Sequence, residues 1–223
     1  MKTLKLMMLV ALGGWMIFFV ACQQAELVDP VDPEIQLEED IAIIEDYLAD
    51  EGYEDYDTLD TEVRVVILEE GDGEPIEYND IVSYNFAGKF TDGNLFDTSI
   101  AQLAYDQDTA NATVYYPETI ELDENGLAQY DSIDYDTDYL PIYSSSRNYE
   151  PFITTHTPGG WFISQGGSIP GFADGTHHVL DRVNIGGRGL ILLPSREAYG
   201  RSGSGSIAPN TVILFEITPV STR

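Results

Sequence analysis

Two runs near the C-terminal end constrain the fold of this chain more than any other feature. Gly189 to Leu193 and Thr211 to Ile217 are dense in Leu, Ile, Val and Phe, and between them lies the Gly/Ser-rich loop Gly200 to Ser206 with no helical pattern. Parallel neighbours need a crossover, usually helical, so strands joined in this way should run antiparallel. Upstream, Val63 to Leu68 is β-branched and apolar, and Gly71-Asp72-Gly73-Glu74-Pro75 is a turn cluster. Ile81 to Phe90 alternates, with Val82, Tyr84 and Phe86 on one face, and runs into the hairpin turn Thr91-Asp92-Gly93-Asn94. Trp161 to Ser164 adds a strand, and Phe172 to Val183 a weak helix. Strands, one short helix and then more strands predict an α+β domain built on an antiparallel sheet.

The first residues have the form of an export signal. Lys2 and Lys5 precede an apolar run, Leu6 to Val20, which ends at Ala21-Cys22. The run is shorter than the roughly 20 residues a spanning helix needs. Phe19-Val20-Ala21-Cys22 resembles a bacterial lipobox, which makes residues 1–21 a signal peptide and Cys22, the only cysteine, the lipidated new N-terminus. Acyl chains on Cys22 would hold the protein at a membrane of the cell envelope, most simply the outer one, with the domain in the periplasm or on the cell surface. A secreted protein with an incidental cysteine is the competing reading. A lone cysteine excludes a disulfide framework.

Gln23 to Val31 reads as a linker. Asp32-Pro33 can start a helix, Leu37, Ile41, Ile44 and Leu48 recur at helical spacing, and Gly52 can end it. Residues 22–62 are thus a lipidated cysteine, an acidic tether and a short helix that should dock on the domain at 63–218. Within that domain, residues 100–147 break the strand pattern. They hold ten acidic residues, one Arg and seven Tyr, with strand signals only at Thr113 to Tyr116 and Leu140 to Tyr143. We read them as an insertion.

Charge narrows the partners. The chain has 39 acidic residues against 10 basic, a net charge of −29, and Glu26 to Glu62 contains sixteen acids and no base. Nucleic acid is excluded, because binding a polyanion relies on Lys and Arg displacing counterions. Such a surface stays soluble and can attract cations or basic polypeptides. Asp134-Tyr135-Asp136-Thr137-Asp138 alternates like a calcium loop, but Tyr139 stands where Gly is required and Ser145 where the closing Glu belongs, so it reads as an exposed acidic loop. His156, His177 and His178 have no metal-ligand spacing. No metal or other cofactor is expected.

Nucleophilic catalysis has no obvious agents here: the domain lacks a Ser/His/Asp pattern, a phosphate-cradling loop and a Cys. It does place Phe86, Phe96, Trp161, Ile169, Phe172, Tyr199 and Phe215 beside turns, which suits an apolar ligand or peptide pocket. Four segments sharpen this. Asn85-Phe86-Ala87-Gly88 with Asp92-Gly93-Asn94-Leu95-Phe96-Asp97-Thr98-Ser99, then Ile169-Pro170-Gly171-Phe172, then Leu193-Pro194-Ser195-Arg196-Glu197-Ala198-Tyr199-Gly200, then Ile207-Ala208-Pro209-Asn210-Thr211-Val212-Ile213-Leu214-Phe215 occur in this order. Together they resemble the FKBP-type peptidyl-prolyl cis-trans isomerases over residues 63–99 and 158–218.

The resemblance implies a twisted antiparallel sheet of about five strands wrapped on one short helix, with the insertion near the pocket rim. It implies Phe172 as the floor under a proline ring, the Ile169 N–H and the Tyr199 hydroxyl as donors to substrate carbonyls, and Asp97 as the polar group at the edge. Phe86, Phe96, Phe215 and Ile207 would line the walls. Phe86 stands where the family usually has Tyr, which removes a hydroxyl that could orient Asp97. Proline-containing polypeptides and macrolides of the FK506 kind are the implied partners, and a monomer the implied state. The alternative is a catalytically weak FKBP-like chaperone or binding module acting through the acidic, Tyr-rich insertion.

Overall fold

The computed structural model describes residues 32–115, 121, 122, 124, 125, 128, 129, 133–135, 141–157 and 169–223; from 112 to 135 only the side chains of Glu124 and Asn125 are included. The leader with Cys22, the strand expected at Trp161 to Ser164, and Asp136 to Asp138 lie outside the described residues. No helix among the described residues is long and apolar enough to cross a membrane.

The first element is α1, Pro33–Glu51. The Asp32 carboxylate accepts the Glu34 N–H at 2.9 Å, and Pro33 occupies the first turn. Gly52, at φ 75°, ends the helix by donating its N–H toward Ala49 and Leu48 carbonyls. Next come β1 (Asp57–Thr58), β2 (Arg64–Glu69), β3 (Ile81–Phe90) and β4 (Leu95–Thr98). Between β3 and β4 the expected hairpin closes with Phe90 N–H on the Asn94 carbonyl at 2.8 Å and Gly93 at φ 88°. After the insertion come β9 (Phe152–Thr155), α3 (Pro170–Leu180), β10 (Arg188–Leu193) and β11 (Ile213–Thr222).

Among the described residues seven strands form one sheet in the order β1-β2-β10-β11-β3-β4, with β9 also on β3, and every pairing is antiparallel. The count exceeds five for two reasons. β1 is a two-residue strand, and β4 and β9 share a single line: β9 pairs with Ile81 to Tyr84 and β4 with Ala87 to Lys89 of the same strand. Residues 99–151 therefore leave and rejoin one edge of the sheet. Alternation along the strands sorts side chains between two faces. Val65, Ile191, Leu193, Ile213, Phe215 and Ile217 pack with α3, while Val66, Leu190, Leu192 and Leu214 pack with Ile44 and Leu48 of α1. The docking expected of α1 is thus realised. Arg64, 6% exposed, fastens α1 to β2 through Glu45 at 3.0 Å, and it also pairs with Glu62.

The insertion departs from expectation. It opens with α2, Ala101–Asn111, where no helix was foreseen. Its buried positions are Ala104 and Asp108, so it has no apolar stripe to betray it. The strand expected at Thr113 to Tyr116 is β5, Ala112–Tyr115, paired with β8, Ile133–Tyr135; β6 (Glu121–Leu122) pairs with β7 (Ala128–Gln129). Asp134 and Tyr135 of the calcium-like run thus belong to a strand rather than a loop. Pro141 to Tyr143 form no strand. Instead the buried Asp108 carboxylate accepts the N–H groups of Ile142, at 3.0 Å, and Tyr143, at 2.7 Å.

Candidate functional site

The α3 face of the sheet gathers the aromatic residues. Phe172 enters from the first turn of α3, and its ring lies 4.3 Å from Phe215 of β11 and 6.3 Å from Phe86 of β3. Phe96 of β4 meets Phe215 edge to face at 5.5 Å. Gly88 makes that crossing feasible, because a Cβ there would come within 2.6 Å of the Phe96 ring and 3.0 Å of Phe215. Phe86, Phe172, Phe215 and Ile207 are buried, with Phe172 5% exposed, while Phe96, Ile169 and Tyr199 pack against them half-buried. Residues from 86–99, 169–172 and 193–215 therefore converge on one cluster.

Three polar groups stand at its edge. Ile169 precedes α3 in an extended conformation, and its N–H has no hydrogen-bond partner among the described residues. The Tyr199 hydroxyl also has none there. Burial first, and then the negative charge of Asp97, push its phenol above the ordinary tyrosine range, so it stays protonated and able to donate. Asp97 is held from two sides: its Oδ1 accepts the Thr98 N–H at 2.8 Å and lies 2.6 Å from Arg147 Nη2. The hydroxyl that Phe86 lacks is thus not needed to orient this carboxylate.

The residues after Asp97 have a structural task. Thr98 Oγ1 donates to the Phe86 carbonyl at 2.7 Å, and Ser99 Oγ accepts the Phe86 N–H at 2.9 Å. Both side chains are buried and bridge the gap between β4 and β9, where β3 has no strand partner on that edge.

Three contributors escaped the sequence reading. Phe152 of β9 packs 4.5 Å from Phe86. Arg147 reaches Asp97 from the insertion. Asp40 of α1, fully buried, accepts both the N–H of Ser195, at 2.8 Å, and its hydroxyl, at 2.6 Å. Ser195 begins the 3-10 turn Ser195–Glu197 that leads into Tyr199. Two signals were present: Arg147 is the one cation of residues 100–147, and Asp40 is an acid at a stripe position four before Ile44.

The histidines go elsewhere: His156 Nε2 is 3.1 Å from Asp181, and His178 Nε2 is 2.9 Å from Asp57. No group of three or more His, Cys, Asp or Glu among the described residues could hold a metal ion. A groove of about 460 Å³ lined by Asp55, Asp57, Glu69, Glu70 and Arg182 includes none of the candidate residues.

No protein-family model matches this chain, and no curated protein matches it. Solved structures do. FkpA from Escherichia coli is 20% identical with a TM-score of 0.44, over 85% of this chain and 64% of that one. The chain thus spans just under two thirds of FkpA. A peptidyl-prolyl cis-trans isomerase from Pseudomonas syringae pv. tomato is 16% identical with a TM-score of 0.43, over 86% of this chain and 97% of that one. The N-terminal domain of FKBP42 from Arabidopsis thaliana is 13% identical with a TM-score of 0.42, over 76% of this chain and 92% of that one.

Proposed function

We propose that this chain is a peptidyl-prolyl cis-trans isomerase of the FKBP type, exported and tethered through Cys22 at the cell envelope, where it assists the folding of other exported proteins. The observation that carries the reading is the convergence of the four motif segments: Phe172, Phe215, Phe86, Phe96 and Ile207 form one apolar body, and Ile169, Tyr199 and Asp97 stand at its margin.

The chemistry follows from the amide. Rotation about an X–Pro bond must break resonance, a barrier of about 18–20 kcal/mol. The twisted amide is less charge-separated than the planar one, so an apolar surface around the proline ring favours it. Binding that is stronger for the twisted form than for the planar one lowers the barrier without any nucleophile. The Ile169 N–H, unpartnered among the described residues, and the protonated Tyr199 hydroxyl suit the flanking carbonyls, and the aromatic body suits the ring. Proline-containing polypeptides are then the substrates, with macrolides as competitive ligands.

A protease-coupled assay on proline peptides tests this. Isomerisation should exceed the uncatalysed rate, and Tyr199→Phe should reduce kcat/KM roughly tenfold, the scale of one lost hydrogen bond in a transition state, at an unchanged melting temperature. A rate equal to background, or a Tyr199→Phe protein as active as wild type, rejects it.

A further inference from the structure

The insertion returns to the sheet by way of an ordered platform. Besides holding Ile142 and Tyr143 through Asp108, it sets the Tyr143 ring edge-on to Tyr105 of α2 at 5.6 Å and stacks it on Tyr149 at 5.7 Å. The Tyr149 hydroxyl donates to the Ile142 carbonyl at 3.2 Å. The Arg147 guanidinium lies 4.9 Å above the Tyr149 ring. From this platform Arg147 Nη2 reaches Asp97 Oδ1 at 2.6 Å and the Thr98 carbonyl at 3.0 Å. The Nε and Nη1 groups make no hydrogen bond among the described residues, and the side chain is 34% exposed.

The charges around this point differ from those of the whole protein. The segments that carry the candidate site and its platform, 95–111, 141–157, 169–172 and 194–203, hold three bases, Arg147, Arg196 and Arg201, and five acids, Asp97, Asp106, Asp108, Glu150 and Glu197, a net charge of only −2. The chain as a whole carries −29. At physiological salt, charges beyond about 8 Å are largely screened, so a group next to Asp97 is governed by Arg147 more than by the distant acids.

We propose that Arg147 is a specificity-determining residue of this site: it neutralises Asp97 and offers its remaining N–H groups to a carboxylate beside the substrate proline, so that the protein prefers acidic over basic flanking residues. This rests on the isomerase reading and adds a substrate class to it. A guanidinium suits the task because its fork can bind one carboxylate while engaging a second.

Ala-Pro, Glu-Pro and Lys-Pro peptides, assayed on the full-length protein at physiological ionic strength, test the proposal. Wild type should turn over Glu-Pro faster than Lys-Pro. Arg147→Gln should lower the Glu-Pro to Lys-Pro ratio roughly fivefold, the size of one exposed charge pair. Arg147→Lys should keep most of the preference, and about 0.5 M salt should shrink it. A ratio that Arg147→Gln leaves unchanged, or a wild-type preference for Lys-Pro, overturns the proposal. If no peptide is turned over, the isomerase reading fails separately. The dissociation constants of the same peptides then decide the selectivity: a fivefold shift in their ratio with Arg147→Gln sustains it, and no shift rejects it.

Discussion

The two faces of the sheet are packed from different materials. Against α1 the buried apolar residues are all aliphatic, Ile44, Leu48, Val66, Leu190, Leu192, Val212 and Leu214, and the rings of Tyr47, Tyr53 and Tyr56 lie only at the margin. Against α3 the buried set includes Tyr84, Phe86, Phe172 and Phe215, with Phe96, Phe152 and Tyr199 at its margin. Branched aliphatic chains interdigitate to near-crystalline density and leave little to approach. Rings meet at tilts, here with centroids 4.3 to 6.5 Å apart, and the half-buried Phe96, Phe152 and Tyr199 keep part of their surface accessible at the margin. One face should therefore carry stability, and the other should carry recognition.

The sharpest way to break that division is a cavity on the aliphatic side. Leu192 is fully buried there, so Leu192→Ala should cost about 2–5 kcal/mol. Urea unfolding would measure the loss, while kcat/KM per folded molecule should not change. A large activity loss in the folded protein would show that the faces are not independent.

Asp40 is where the division should fail by design, since it belongs to α1 and its bonds go to the turn before Tyr199. Asp40→Ala leaves two buried donors of Ser195 unpaired, at about 1–3 kcal/mol. It should also lower peptide turnover, which Leu192→Ala should not. Equal turnover in the two variants would remove Asp40 from any positioning role.

The smallest effect is alkaline, and both faces contribute to it. Burial first, then the charge of Glu51, pushes the Tyr47 phenol of α1 up to about 12, and on the other face burial raises Tyr199 and, further still, the fully buried Tyr84. Phenols of the unfolded chain lose their protons near 10. A group whose folded pKa is raised stabilises fully below that value and loses its contribution as pH climbs through the folded one. Stability should thus hold to about pH 10 and then decline. Tyr47→Phe should soften the decline without moving the alkaline limb of activity, and Tyr199→Phe should not soften it more. Calorimetry and assays from pH 8 upward, in roughly half-unit steps near the phenol range, would show it.

Much of this was legible beforehand. The Asp32 cap, the stripe of Ile44 and Leu48, the Gly93 hairpin and the alternation through Tyr84 and Phe86 are local patterns, and each appears in the fold. The eight residues expected to build the site fall together because the segments carrying them are strands and turns with strong local signals. Other parts left no local trace. α2 is held by Ala104 and Asp108, which no apolar periodicity can register. The Arg147–Asp97 contact spans fifty positions, and Asp40 to Ser195 spans 155. Charge pairs at such range depend on the assembled fold, and spacing along the chain does not encode them.

The shared edge of β3 has a further consequence. Thr98 pairs with Ala87 and Phe152 with Tyr84, so both ends of the intervening segment lie three residues apart along one strand, about 10 Å. Extra chain joined at such a gap costs little more as it lengthens, because closure entropy grows only with the logarithm of loop length. The position is therefore a natural graft point, where a reporter or a foreign recognition module could be inserted while the sheet keeps its register.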